Sequence, residues 1–358
     1  MSHSNKAIQR RFFGLALLFA LASFTVPAGY AQQAPAGNRD LYLYQGADRA
    51  QKLLSQAKKE GAVVLYSTMT LEDASPLVGA FETKYGIKVN MWRAVNQKLV
   101  QRAVAEARAN RHGVDVFEGS GPGLEILHRE ALLEKFFSPW FADIPPEAFP
   151  RHGYYAPDNF LFTVMGYNTR LVKPDEVPAT YEDLLQPKWR GRLGIEASNV
   201  AWFAAVAKAM GEEKGLAYFR KLAAMEPQIR SGHTLMTELL AAGEIPIVLT
   251  LYNQAVDRMK EKGAPIDWKP LAPAFGRIDG IAVAKRAPHP HAALLFADFV
   301  LSPEGQRIIK ERNRVPVNRT VDSAFNKDVF RIIDLAALLD EWDTWEKRWH
   351  SLFLRERK

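Results

Sequence analysis

Three short apolar runs, each breaking off at small polar or charged residues and each followed by a helix-length stretch, leave this chain few folds to choose from. Gly61-Ala62-Val63-Val64-Leu65-Tyr66 is rich in β-branched residues and stops at Ser67-Thr68, the pattern of a buried strand. Leu71 to Tyr85 then sets Leu77, Val78, Phe81 and Tyr85 at helical spacing, with Gly86 in the usual stop position. Ile87 to Trp92 alternates as a second strand and Gln97 to Ala109 is helical. Val114 to Phe117 reads as a third strand, and Gly119-Ser120-Gly121-Pro122-Gly123 as a loop before a helix over Leu124 to Glu134. Strands alternating with helices predict an α/β fold on parallel βαβ units. In such sheets ligands sit beyond the carboxyl ends of the strands, which puts Ser67-Thr68, Trp92-Arg93 and Ser120-Gly121 on one rim.

The pattern then restarts, predicting a second α/β lobe. Phe160 to Tyr167 and Leu193 to Ile195 read as strands, the latter leading to Ser198-Asn199. Ala201 to Met210 and Gly215 to Ala224 read as helices, and Arg230-Ser231-Gly232-His233-Thr234 opens another that runs to Ala242. Ile245 to Leu251 is a buried strand reaching Tyr252-Asn253. Gly280 to Ala284 and the apolar helix His291 to Leu301 follow. In the tail, Trp342, Trp345 and Trp349 share one helical face, which reads as a docking stripe.

The N-terminus is ordered as a cleavable export signal. Lys6, Arg10 and Arg11 precede the uncharged run Phe12 to Phe24, and small residues at Gly29 and Ala31 predict cleavage after Ala31. The run is shorter than the roughly 20 residues of a bilayer-spanning helix. Arg10-Arg11-Phe12-Phe13 also resembles a twin-arginine signal, so both export routes stay open. The expected location is the periplasm. With no cysteine in the chain, thiolate catalysis and Cys-based metal sites are excluded. Removing Lys6, Arg10 and Arg11 with residues 1–31 takes the net charge from +7 to +4. That excess is spread out rather than gathered into the stripe a nucleic-acid binder needs.

No catalytic motif survives inspection. A serine elbow at Ser120 fails because Glu118 stands where glycine is required. Gly119, Gly121 and Gly123 make GxGxG rather than a dinucleotide fingerprint. His289-Pro290-His291 reads as a surface loop. No cofactor is expected. A periplasmic enzyme with a polar interlobe active site is the rival reading, and a binder that hands its ligand to a sensor is a third.

Several stretches resemble one family, the extracellular solute-binding proteins of ABC importers, in the cluster that includes ferric-iron binders. They are Gly61 to Ser67 with Phe81 to Val89; Tyr167-Asn168-Thr169 with Tyr181 to Leu193; Ala241-Ala242-Gly243-Glu244; and Ala292 to Gln306. The resemblance implies a two-lobed periplasmic-binding-protein fold, each lobe a sheet flanked by helices, with the ligand in the interlobe cleft and hinge closure around it. It implies a discontinuous lobe 1 (40–165 and 276–325), a lobe 2 (166–275) and a helical tail (326–358). It also implies a monomer that delivers its ligand to a permease in the inner membrane.

Loop ends that face such a cleft are Ser67, Thr68, Arg93, Ser120 and Gly121 from lobe 1. From lobe 2 they are Asn199, Trp202, Arg230, Ser231, Gly232, Thr234, Tyr252 and Asn253. Helix starts among them favour anions, and Arg230 suits a carboxylate or phosphate-like group. Ferric binders of the cluster commonly carry adjacent tyrosines after the equivalent of Leu249, and often a His or Tyr past the first strand. This chain has Thr250-Leu251-Tyr252-Asn253 and Ser67-Thr68-Met69-Thr70 at those places. An anionic organic or phosphorus-containing solute is therefore the expected ligand, with ferric iron on Tyr252 the alternative.

Overall fold

The computed structural model describes residues 38–322 and 329–354; the predicted export signal lies outside them. Helices α1 (Arg39–Tyr42) and α2 (Arg49–Glu60) lead into β1 (Ala62–Ser67). Gly61 ends α2 at φ 72°, a left-handed conformation that costs glycine little. Helix α3 (Leu71–Tyr85) starts at Thr70, whose hydroxyl accepts from the Asp73 amide. Strand β2 (Lys88–Arg93), α4 (Asn96–Arg108), β3 (Val116–Ser120), α5 (Gly121–Arg129) and β4 (Leu133–Glu134) follow.

Two expectations shift here. Strand β3 starts two residues late because the Asp115 carboxylate accepts from the Val64 and His289 amides, tying two turns together. Helix α5 begins inside the glycine-rich stretch read as a loop. Pro122 falls in its first turn, where the missing N–H has no helical partner to lose. The helix ends by Arg129, and Leu133–Glu134 pair as a strand instead.

The second half contains β5 (Ala156–Asn168), β6 (Leu193–Glu196), α6 (Val200–Ala209), α7 (Glu212–Ala224) and β7 (Gln228–Arg230). It continues through α8 (His233–Ala242), β8 (Ile247–Tyr252), α9 (Asn253–Glu261), β9 (Ile266–Lys269) and β10 (Ala274–Ala284). Strand β10 starts six residues before the predicted Gly280 because Arg277 and Asp279, which break the apolar pattern, pair with each other. Last come α10 (Pro290–Leu301), α11 (Pro303–Glu311), β11 (Val315–Pro316), β12 (Phe330–Ile332), α12 (Leu335–Asp340) and α13 (Trp342–Phe353).

The main path of the sheet runs β2-β1-β3-β10-β5-β8-β6-β7. Strands β2, β1 and β3 are parallel at one end, and β8, β6 and β7 at the other. The long antiparallel ribbon of β5 and β10 joins the two sets and serves both lobes. Helix α10 is buried from Ala292 to Leu301 and apolar there except for Asp298, which pairs with Arg49. Its Phe296 and Phe299 meet Phe81 with ring centroids 5.0 and 5.6 Å apart. In the second lobe, Phe203 of α6 packs on Phe219, Trp345 and Trp349. Both tryptophans are fully buried, which fastens α13 to α6.

Candidate functional site

The register of the central ribbon creates the site. Ser120, at the end of β3, pairs with Asp279, while Tyr252, at the end of β8, pairs with Thr163, itself opposite Phe275. The strand ends of the two lobes thus meet the ribbon four residues apart on β10, about 13 Å at strand spacing. Six strand-to-helix turns converge there, from β1, β2 and β3 on one side and β6, β7 and β8 on the other. Thr70 caps α3 with its side chain. The starts of α4, α5, α6, α8 and α9 have no side-chain cap. Uncapped starts leave backbone N–H groups unpaired and carry the positive end of the helix dipole.

On the lobe 1 wall, the Thr68 side chain lies over Gly119, and Asn96, which the sequence reading missed, lies over Gly123. A Cβ on Gly123 would overlap Asn96 Oδ1 at 2.0 Å, so the present Asn96 rotamer depends on this glycine. Ser120 is half-buried, and Gly121 is buried against Leu335 of α12. Arg93 is exposed on the rim, its Nε donating to Met69 O at 3.3 Å. Ser67 departs from its expected role. It is 1% exposed, donates to the Glu118 carboxylate and accepts from the Met69 amide. Its hydroxyl is spent holding the β1–α3 turn, because Glu118 gathers the Thr68 and Met69 amides on the same oxygen.

On the lobe 2 wall, Glu196 organises the turns. One oxygen accepts from Ser198 N, Ser198 Oγ and Asn199 Nδ2 at 2.6–2.8 Å, and the other from Gly232 N at 2.9 Å. Asn199 is therefore a brace of its own turn rather than a free side chain. Trp349 Nε1 donates to Ala197 O at 2.7 Å, so the tail supports the same turn. Arg230, Ser231 and Thr234 are exposed, with Gly232 at φ 107° between them. Tyr252 is half-buried, its ring 4.2 Å from that of His233 and 5.5 Å from the Arg277 guanidinium. Two expected contacts are withdrawn. Trp202 is 4% exposed, with its ring in the core against Phe219 and Tyr181. Asn253 is buried, and its Oδ1 accepts from Phe162 N at 3.4 Å, bridging the β5–β8 gap.

The floor is charged. Arg277 pairs with Asp279, whose other oxygen is 3.8 Å from Arg314. Burial disfavours the Arg277 charge, but Asp279 and Tyr252 outweigh it and hold its pKa above the ordinary value. Burial, then the Arg277 charge, lowers His233, with Glu196 opposing, which favours the neutral imidazole. Among the described residues no cluster of three or more His, Cys, Asp or Glu is arranged to hold a metal ion.

Behind the floor, Glu118 Oε1 and Asp158 Oδ2 are buried without a hydrogen-bond partner. Burial raises both pKa values, and each is raised further by neighbouring carboxylates. A carboxyl with a raised folded pKa holds its proton more tightly in the native state. Stability is then greatest below the unfolded value, about 3.9 for Asp, and falls as pH rises through the folded value. Asp158→Asn is expected to raise stability at pH 7 by about 1–3 kcal/mol and to change it little at pH 4. Melting temperatures of both proteins across that range check this.

The result is a two-lobed α/β molecule whose two sets of strand-to-helix turns face the connecting ribbon. Residues 122–339 match the bacterial extracellular solute-binding protein family, and the chain belongs to that family. It is 29% identical over 294 residues to iron uptake protein A1 of a Synechocystis species, covering 72% of this chain and 78% of that one. Iron-bound HitA from Pseudomonas aeruginosa superposes with a TM-score of 0.70 at 23% identity, covering 80% of this chain and 99% of HitA. The periplasmic binding protein AfuA from Actinobacillus pleuropneumoniae, with fructose-6-phosphate bound, gives 0.69 at 22% identity, covering 83% and 100%. Both superpositions carry the two-lobed fold, and the protein is a solute-binding component.

Proposed function

We propose that this is the periplasmic solute-binding component of an ABC importer, a monomer exported with cleavage after Ala31. It captures a small anionic solute by hinge closure and delivers it to a permease in the inner membrane. It binds rather than catalyses. Lobe 1 comprises 40–165 and 276–325, lobe 2 comprises 166–275, and 326–358 is the supporting tail. The reading rests on five helix starts without side-chain caps at the strand ends, together with the Arg277 guanidinium beside Tyr252 on the ribbon. That field suits carboxylate or phosphate oxygens and opposes a bare cation. The ligand contacts are Thr68, Arg93, Ser120, Gly121, Arg230, Ser231, Gly232, Thr234 and Tyr252, with Arg277 and Asn96 added. AfuA holds a phosphate ester on the same fold.

The second reading is ferric iron, favoured by the half-buried Tyr252 at a strand end facing the cleft and by relatives named for iron. One phenolate needs an accompanying anion to hold so hard an ion, and the helix starts would bind that anion.

A thermal-shift screen of the mature chain against phosphate esters, phosphonates, carboxylates, polyols and ferric citrate tests the class. A ligand at a hundred times its Kd adds about 2.7 kcal/mol; a shift with polyols alone would contradict the anion reading. Arg230 is exposed, and among the described residues the only hydrogen bond of its side chain is from Nη1 to Ile229 O. Arg230→Ala is therefore expected to leave stability within about 0.5 kcal/mol while weakening anion binding, as calorimetry on the screened ligand would show. Thermal loss without loss of affinity would make Arg230 a structural residue.

A further inference from the structure

A cavity of about 340 Å³ lies at the end of the β3–β10 pair remote from the cleft. It sits between the end of α4, the α4–β3 connection, the α5–β4 turn and the β10–α10 turn. Its floor is apolar, with Phe117 1% and Val114 8% exposed. Its rim carries Arg108, Arg111, Lys285 and Arg286 against only two carboxylates, Glu106 and Glu130. Both carboxylates are engaged: Glu130 lies 3.5 Å from Arg108, and Glu106 accepts from the Tyr66 hydroxyl and from Arg102. Arg286 is held by Asn110 and His112. Burial, then the Arg286 charge, lowers the His112 pKa, which favours a neutral ring able to accept from that guanidinium. The side chains of Arg111 and Lys285 have no hydrogen bond or ion pair among the described residues.

Two helix ends frame the cavity: Asn110 and Ala131, at φ 53° and 57°, close α4 and α5 with Arg111 N donating to Glu106 O and Leu132 N to Leu127 O. The volume is roughly twice the ~150 Å³ that holds a benzene and falls within the ~300–1,000 Å³ of small-molecule pockets. We propose that this cavity is a second ligand site on lobe 1, taking a small organic anion with an apolar body. The ring or chain lies against Val104, Ala107 and Leu132, and the acid group faces Arg111 and Lys285.

The probe is 1-anilinonaphthalene-8-sulfonate, titrated by fluorescence into the folded mature chain. One saturable site is expected. It should weaken about tenfold or more in Arg111→Glu/Lys285→Glu, since two attractions become repulsions, and be unchanged in the cleft variant Arg277→Gln. Ala107→Phe, which fills the cavity from α4, should abolish binding, and the melting temperature of each variant reports its folding. The uncharged N-phenyl-1-naphthylamine should bind more weakly. Loss in Arg277→Gln but not in the charge-reversed variant would assign the probe to the cleft and overturn the proposal. Equal binding of the uncharged analogue, or no saturable site, would overturn it as well.

Discussion

Asp73→Ala is expected to lower stability by about 3–5 kcal/mol, the usual cost of removing one partner from a buried ion pair. The Asp73 side chain is 2% exposed and faces three arginines. Arg258 of α9 donates at 2.8 Å, Arg314 donates through Nε and Nη2 at 3.2 and 3.0 Å, and Arg312 lies 3.7 Å away. Asp73 belongs to α3, beside the first set of strands, and Arg258 to α9, beside the second. Arg258 also donates to Arg312 O at 2.6 Å, and Asn313 reaches Glu261 of α9 at 2.7 Å. The carboxylate therefore gathers three cations and links the helices of both lobes near the ribbon. Without it, three guanidinium groups repel one another in a confined space. Urea unfolding of the mature variant measures the loss; a change below 1 kcal/mol would mean that water screens the cluster.

The second large effect concerns binding. Arg277→Gln is expected to weaken anion affinity by about 2–5 kcal/mol, the range for truncating one member of a desolvated charged contact. That is roughly thirtyfold or more in Kd. Stability should fall less than in Asp73→Ala, because Asp279 keeps Arg314 at 3.8 Å. The remaining affinity should depend less on ionic strength, since the lost interaction is Coulombic. Calorimetric titration of wild type and variant at two salt concentrations separates these effects. Equal affinity in both would remove Arg277 from the site.

The sequence marks the parallel strands of both lobes and the apolar helix α10, because each has one dominant period and an abrupt polar end. It marks the ribbon only in part, through Phe160 to Tyr167 of β5 and Gly280 to Ala284 of β10. Arg277 and Asp279 break the apolar pattern of β10, and their mutual pairing offsets their charges within the strand. The basis of the fold, a register that sets the ends of β3 and β8 on opposite sides of one ribbon, is a long-range pairing without local trace. The candidate site was legible in part for the same reason. Thr68, Ser120, Arg230 and Tyr252 were found as loop ends beyond strands. Ser67, Asn199 and Asn253 carry the same signature yet spend their polar groups on Glu118, Glu196 and the Phe162 amide. Residue type at a loop end shows what can bind, while burial decides whether the side chain turns inward. Trp202 illustrates this, since helical spacing alone left both faces of α6 open to it. Asn96 carried a weak signal, as a polar residue just past β2 at the start of α4.

The central claim is that the cleft is built for an anion, and titrating the mature chain with and without ferric iron tests it most directly. The panel is citrate, a sugar phosphate and a phosphonate, read by calorimetry and visible absorption together. The account predicts that one of these anions binds without iron, with affinity falling as ionic strength rises. Binding that occurs only with iron, accompanied by a phenolate-to-iron absorption band lost in Tyr252→Phe, would contradict it and make the protein an iron carrier.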